Sequence, residues 1–122
     1  MYRYIMAMSN RAMTGPAFFV LTALAGGPRH GYGIVGEVSE LSDGRVTLKV
    51  GTLYGVLDRL VGDGLVEPDR DEVHQGRLRR YYRLTEAGRS ALAEEAARQA
   101  ANARAASQRL RAFRPANQGL AP

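Results

Sequence analysis

The spacing of apolar residues between positions 50 and 66 predicts a helix that packs one face on a core. The apolar residues lie at i, i+3, i+4, i+7 and i+8, namely Leu53, Val56, Leu57, Leu60 and Val61. The opposite face carries Thr52, Tyr54, Gly55, Asp58 and Arg59. Few long charges and an exposed tyrosine beside a glycine are unusual on a solvated helix. The pattern indicates a helix whose first turns press against a partner surface.

Two helices and a short strand are predicted before this helix. The first helix begins at Thr14–Pro16, where a small polar residue precedes proline, and Gly26–Pro28 ends it. The second helix follows His30 and continues to Leu41. Residues 46–48 form a short run that favours a β-strand.

A hairpin is predicted after the central helix. That helix spans about residues 51–63 and ends at Gly64, which provides a left-handed cap. Residues 65–68 favour a strand, residues 69–76 form a polar loop, and residues 78–84 return with strand alternation. The two strands are therefore expected to pair as an antiparallel hairpin.

A long final helix is predicted to begin after Thr85, a good helix cap, and to run to about Phe113. Small and apolar residues repeat with heptad spacing along it: Leu92, Ala96, Gln99, Ala103, Ala106, Leu110 and Phe113. A domain of this size is too small to cover such a helix along its length. A second copy of the chain is the simplest cover and would give a two-fold dimer.

The order of elements predicts an α+β fold, mainly α: a winged helix-turn-helix with a long C-terminal dimerisation helix. Residues 14–85 would form the DNA-binding domain and residues 86–113 the dimerisation helix. Residues 114–122 are a Pro/Gly/Asn tail that we expect to be disordered. Residues 1–13 form an N-terminal extension, and their pattern leaves open a short helix or a frayed terminus.

Composition restricts the classes of function. The chain has 122 residues, no cysteine and a formal charge of +5, so disulfides and thiolate metal sites are excluded. No apolar run approaches the ~18 residues of a membrane span, and no secretory signal is evident, so we expect a cytoplasmic protein without a membrane partner. The basic balance fits a polyanionic partner.

The positive charge concentrates in the predicted hairpin. Four arginines lie within seven residues, which would be a solvated face in a generic protein. Next to the central helix, however, cations would neutralise DNA phosphates. The candidate DNA-binding residues are Lys49, Gly51, Thr52, Tyr54, Gly55, Arg59, Arg77, Arg79 and Arg80. Arg83 is assigned a structural role or a place at the core edge.

Enzymatic function is disfavoured. Residues 31–36 match G-x-G-x-x-G, but the residues before them do not predict a strand, and a dinucleotide site requires a βαβ unit. His30 and His74, the only histidines, lie in different segments, and the sequence indicates no metal, cofactor or catalytic group. We interpret His30 as a turn residue that hydrogen-bonds at the start of the second helix.

Several short motifs resemble the PadR-type transcriptional regulators over about residues 14–113. They are His30-Gly31-Tyr32-Gly33-Ile34, Gly51-Thr52-Leu53-Tyr54, Leu57-Asp58-Arg59-Leu60, Gly64-Leu65-Val66 and the run from Arg80 to Gly88. The resemblance implies a homodimeric repressor on double-stranded DNA. The helix near Gly51 would enter the major groove with Tyr54 near the backbone, the hairpin would be the wing, and the last helix would dimerise.

The resemblance also implies a small aromatic or drug-like effector, because some members hold such compounds at the dimer centre. Phe18, Phe19 and Phe113 could line a pocket of this kind, although their ordinary role is core packing. The chain has no tryptophan on which a flat ligand could stack. An alternative function is a winged-helix module whose basic hairpin binds an acidic protein.

Overall fold

A computed structural model describes residues 13–116, which form helices and one antiparallel sheet. The elements are α1 (Gly15–Ala25), β1 (Arg29–His30), α2 (Gly31–Leu41), α3 (Val50–Gly62), β2 (Val66–His74), β3 (Arg77–Leu84) and α4 (Glu86–Ala112). The strand order is β1-β3-β2. This arrangement confirms the predicted mainly helical winged helix-turn-helix. The expectations for residues 1–12 and 117–122 lie outside the described residues.

The core forms where α1, α2 and α3 meet the sheet. Its largest fully buried side chains include Val20, Leu21, Ile34, Val38, Leu53, Leu57 and Val66. Leu60 completes the buried face of α3, and Val56 is partly buried. Val61 was predicted to share this face but is 37% exposed. At 3.6 residues per turn, Val61 lies about 80° around the helix from Leu53 and therefore leaves the core.

The strand predicted at residues 46–48 is wrong. Leu48 is buried as the pattern suggested, but the backbone amide of Val46 donates to Ser42 Oγ at 2.9 Å instead of to a strand. The third strand is β1, which pairs with β3 through Arg29 opposite Tyr82 and His30 opposite Tyr81. A two-residue strand carries no alternation that sequence analysis could detect, so the expectation that no strand precedes the glycine motif was also wrong.

The hairpin is longer than predicted because β2 extends through residues assigned to a loop. The turn consists of Gln75 and Gly76 alone, with φ of 51° and 77°. Positive φ at both positions matches the twist of a two-residue hairpin turn. A one-residue irregularity between Pro68 and Asp71 accommodates the proline inside β2. Residues 69–74 look like a loop because nearly all of them are solvent-exposed and polar.

Helix α4 is attached to the domain at its first turn. Thr85 caps it, since Thr85 Oγ1 accepts from the Gly88 amide at 3.0 Å and donates to the Gly64 carbonyl at 2.7 Å. The amide of Thr85 donates to the Leu65 carbonyl at 3.1 Å. Gly88 lies against that same carbonyl, and a Cβ on Gly88 would clash with it. The close contact between α4 and the start of the hairpin therefore requires glycine at position 88.

We predict that Gly88→Ala destabilises the fold. A methyl group would overlap the Leu65 backbone, and relief requires α4 to move, at a cost of about 2 kcal/mol in the free energy of unfolding. The control is Gly36→Ala on the exposed side of α2, where a Cβ meets no atom within 4 Å and should stabilise the helix. Urea unfolding at one protein concentration measures both, and equal stability of Gly88→Ala and wild type would contradict the prediction.

Candidate nucleic-acid interface

The first turn of α3 is open to solvent. Lys49 is the N-cap and makes no side-chain capping bond, and the first turn holds no acidic residue. The free amides and the helix dipole therefore make this end a place where an anion binds favourably. The residues predicted on the outer face are all exposed: Lys49, Gly51, Thr52, Tyr54, Gly55 and Arg59.

Tyr54 connects α3 to the start of α2. Its side chain lies against Gly31, where a Cβ would come within 2.8 Å of the tyrosine hydroxyl oxygen and 3.3 Å of Cζ. Tyr54 nevertheless remains 41% exposed. Gly31 thus makes room for a ring that is supported on one side and accessible on the other. The G-x-G-x-x-G residues lie within helix α2 rather than in a phosphate-binding turn after a parallel strand.

A cleft of about 120 Å³ separates Tyr54 and the start of α2 from the wing, which is the β2–β3 hairpin. It is lined by His30, Gly31, Tyr32, Tyr54, Arg77, Leu78, Arg79 and Arg80. The fold therefore brings Tyr54 together with three of the predicted arginines. The other predicted residues of α3 do not line the cleft. His30, Gly31 and Tyr32 were not predicted to belong to this surface.

His30 joins α2 to the wing. As the N-cap of α2, its Nδ1 lies 3.3 Å from the Gly33 amide, and its Nε2 lies 3.1 Å from Nη1 of Arg79. Its ring meets Tyr81 edge-on at a centroid distance of 5.2 Å. Both neighbours of the ring nitrogens are donors, and a neutral imidazole accepts through only one nitrogen. Burial, followed by the charge of Arg79, lowers the pKa of His30, so the neutral form is favoured.

Most positive charges of the wing are compensated by carboxylates. Arg83 pairs with Glu67 at 2.8 Å, Arg80 with Asp71 at 3.3 Å, and Arg70 with Asp69 at 2.7 Å. The role assigned to Arg83, a structural one, agrees with its pairs to Glu67 and Asp69 on β2. Counting the arginines alone overstates the charge of the hairpin, because most of its acidic residues had been assigned to a loop.

Two arginines of the cleft remain without an ionic partner. Among residues 13–116, neither Arg77 nor Arg79 forms an ion pair, and Arg79 contacts the His30 ring instead. Arg80 has a carboxylate partner, but its side chain is 58% exposed and lies in the same cleft. The positive potential of the cleft therefore comes chiefly from Arg77 and Arg79.

The predicted dimer residues lie along α4. Leu92 packs partly against the core of its own domain, whereas the seam from Ala96 onward is exposed in the single chain. Leu110 is 72% exposed and Phe113 is 55% exposed.

The residues predicted to line a ligand pocket lie on two helices. Phe18 and Phe19 meet edge-on at a centroid distance of 5.4 Å on α1, while Phe113 lies at the C-cap of α4. Helix α1 packs against α4, so Phe18 and Phe19 lie on the helix that neighbours α4.

Residues 20–94 match the protein family described as "Transcriptional regulator PadR-like family". A 37.1 kDa uncharacterized protein in transposon Tn4556 of Streptomyces fradiae is 44% identical over 77 residues, 63% of this chain and 21% of that protein. Transcriptional regulator Rv3488 of Mycobacterium tuberculosis is 48% identical over 56 residues, 46% of this chain and 51% of that protein.

A solved structure of similar fold is Bacillus subtilis PadR in complex with operator DNA. It aligns with a TM-score of 0.57 at 23% identity, covering 64% of this chain and 44% of that chain. The similarity at that identity concerns the fold. The chain spans between 21% and 61% of the length of the curated relatives it matches. Within residues 13–116, no helix combines the length and apolar character needed to cross a bilayer.

Proposed function

The chain belongs to the PadR-like family of transcriptional regulators, and from that membership we propose that it binds DNA in a sequence-specific manner. The observation that carries the proposal is the cleft that Tyr54, Arg77 and Arg79 line together, beside the open first turn of α3. A groove-reading helix next to unpaired cations is the arrangement that a DNA backbone and a base edge both require.

In this proposal, α3 enters the major groove. The hydroxyls of Thr52 and Tyr54 reach base edges or phosphates, and Lys49 and the free amides of the first turn meet the backbone. The wing arginines lie beside the adjacent phosphates, where Arg77 and Arg79 act directly. Arg80 would have to exchange Asp71 for a phosphate. Binding to phosphates releases counterions, so affinity should fall steeply with salt.

We predict that Tyr54→Ala and Arg79→Ala each weaken operator binding without unfolding the protein. In Arg79→Ala, loss of one cation–phosphate contact should also make the slope of log affinity against log salt shallower by about 0.9, whereas Tyr54→Ala removes no charge and should leave the slope unchanged. Fluorescence anisotropy on a sequence selected from random genomic DNA measures both quantities. The matched control is Arg83→Ala, which removes a wing arginine that pairs with Glu67 outside the cleft.

Unchanged affinity in both cleft variants would show that these residues do not contact DNA. If the selection enriches no sequence at all, the alternative function gains support, in which the basic hairpin binds an acidic protein partner. A pull-down with an acidic polypeptide then distinguishes the two functions. If the hairpin binds an acidic protein, the polypeptide is retained and no particular DNA sequence displaces it.

We propose further that α4 forms a homodimer through its exposed seam. The helix has 27 residues and is therefore about 40 Å long, while only its first turns contact the domain. The seam residues proposed for the interface are Ala96, Gln99, Ala103, Ala106, Leu110 and Phe113, with Leu92 at the edge of the domain core. Alanines allow close approach of a second helix, and a two-fold dimer would present two recognition helices to two half-sites.

We predict that the double substitution Leu110→Asp with Phe113→Asp produces monomers that have lost operator affinity. Two carboxylates in the seam would repel their symmetry mates and would not disturb the domain, because both side chains are exposed in the single chain. Light scattering measures the mass, with Ala101→Asp, an exposed substitution on the opposite side of α4, as the control. A double variant that stays dimeric would move the interface elsewhere.

The regulator is proposed to act as a repressor that a small aromatic or drug-like compound releases. The support is the edge-on pair Phe18 and Phe19 on α1, which packs against α4. A planar ligand held by these two rings would shift α4 and change the spacing of the two recognition helices, whereas Phe113 lies at the far end of α4, away from the pair. The ligand then lowers operator affinity only if it binds the shifted state more tightly.

We predict that some members of a panel of planar aromatic compounds lower operator affinity and that Phe18→Ala abolishes this response. Anisotropy with a constant amount of operator measures release as each compound is added. Phe18→Ala must first bind operator as wild type does, which separates loss of the response from loss of folding. A panel without any effect on operator affinity would contradict the proposed release.

A further inference from the structure

Glu72 is an acidic residue of the wing positioned to neutralise the cleft. In the β2–β3 register it lies directly opposite Arg79. Side chains of opposite residues in an antiparallel pair are neighbours, with Cβ atoms about 5 Å apart. The same register gives the ion pairs of Glu67 with Arg83 and of Asp71 with Arg80. By this rule Glu72 would also be expected to bind Arg79.

Glu72 instead binds Arg70 on its own strand. Nε of Arg70 donates to Glu72 Oε1 at 3.0 Å. Arg70 and Glu72 are two positions apart on β2 and therefore share a face of the strand. The guanidinium of Arg70 lies 4.1 Å from the centroid of the Tyr81 ring. The hydrogen bond from Arg70 is the largest cause that lowers the pKa of Glu72, and the nearby Tyr81 hydroxyl adds to the effect.

Arg79 consequently has a neutral partner in place of a carboxylate. Its Nη1 lies 3.1 Å from Nε2 of His30, and the His30 ring rests edge-on against Tyr81. The neutral His30 ring contacts the guanidinium without cancelling its charge. A continuous chain of contacts thus crosses all three strands. It runs from Glu72 through Arg70, Tyr81 and His30 to Arg79.

We propose that Arg70 is a positioning residue for DNA binding: it holds Glu72 away from Arg79, so that Arg79 keeps its charge for a backbone phosphate. This inference rests on the proposed DNA-binding function. In this proposal Arg70 affects DNA binding through the position of Glu72 and does not itself contact the DNA. Arg70 already bonds to both Asp69 and Glu72 and stacks on Tyr81, which leaves it little capacity for a further anion.

A double-mutant cycle on operator DNA tests the proposal. In Arg70→Ala the released Glu72 turns to Arg79, and operator affinity should fall about fivefold with a shallower salt slope. In Arg70→Ala with Glu72→Gln, affinity should return to that of Glu72→Gln alone. The control Arg83→Ala removes the same charge from the hairpin and releases Asp69, which Arg83 shares with Arg70, but it keeps the hydrogen bond between Arg70 and Glu72. Equal loss of affinity on removing Arg70 in both backgrounds would mean that Arg70 contacts DNA directly, which overturns the proposal.

A measurement without DNA separates this inference from the proposed function. The positive charge of Arg79 helps to lower the pKa of His30, so pairing of Arg79 with Glu72 should raise it. An NMR titration, with the histidine signals assigned through His74→Gln, should show this rise in Arg70→Ala and not in the double variant or in Arg83→Ala. A His30 pKa that does not change in Arg70→Ala would overturn the proposal, whether or not the protein binds DNA.

Discussion

Two residues of backbone pairing connect the wing to the helical half of the domain. Arg29 pairs with Tyr82 and His30 with Tyr81, and the next residue, Gly31, begins α2. The pairing therefore fixes the position of β3 relative to the α2 N-terminus. Tyr54 lies against Gly31, and Arg79 contacts His30. The α3 side and the wing side of the cleft are therefore both positioned by this one short junction. A change in it would move α3 and the wing relative to each other.

The positive charge of the wing depends on which arginines are paired with carboxylates rather than on how many arginines it has. Arg83, Arg80 and Arg70 each have a carboxylate partner, and these exposed pairs contribute little stability individually. Their consequence is to restrict where the positive potential lies. Arg77 and Arg79 remain without ionic partners among residues 13–116, and both line the cleft. A hairpin that is nearly neutral as a whole thus presents positive charge at one place.

The two ends of α4 are held very differently. Its start is attached through Thr85 and through Gly88, which admits the Leu65 carbonyl to the helix surface. Glu95 is the last residue of the helix that is buried, and its carboxylate is bonded to Arg98 and Gln99. Beyond that point the helix leaves the domain. A helix with an exposed alanine seam and terminal Leu110 gains much of its stability only when another surface covers it.

The sequence by itself determined the helices, because their signals are local. The 3.6-residue spacing of Leu53, Leu57 and Leu60 and the caps at Thr14 and Thr85 depend on residues within a few positions of each other. The sequence also indicated Tyr54 and three arginines of the wing as candidates for one surface, and they line one cleft. They were found from residue type and from their position between elements that a local pattern could define.

Only the tertiary structure decided the junction and the pairing of charges. β1 is a strand because β3 lies beside it, and two residues hold no period of their own. Most acidic residues of β2 were placed in a loop, since both faces of that part of the ribbon are solvated and hydropathy does not alternate. Which carboxylate meets which arginine depends on register across the hairpin. His30 became part of the cleft for the same reason: Arg79, 49 positions away in the chain, reaches it only in the fold.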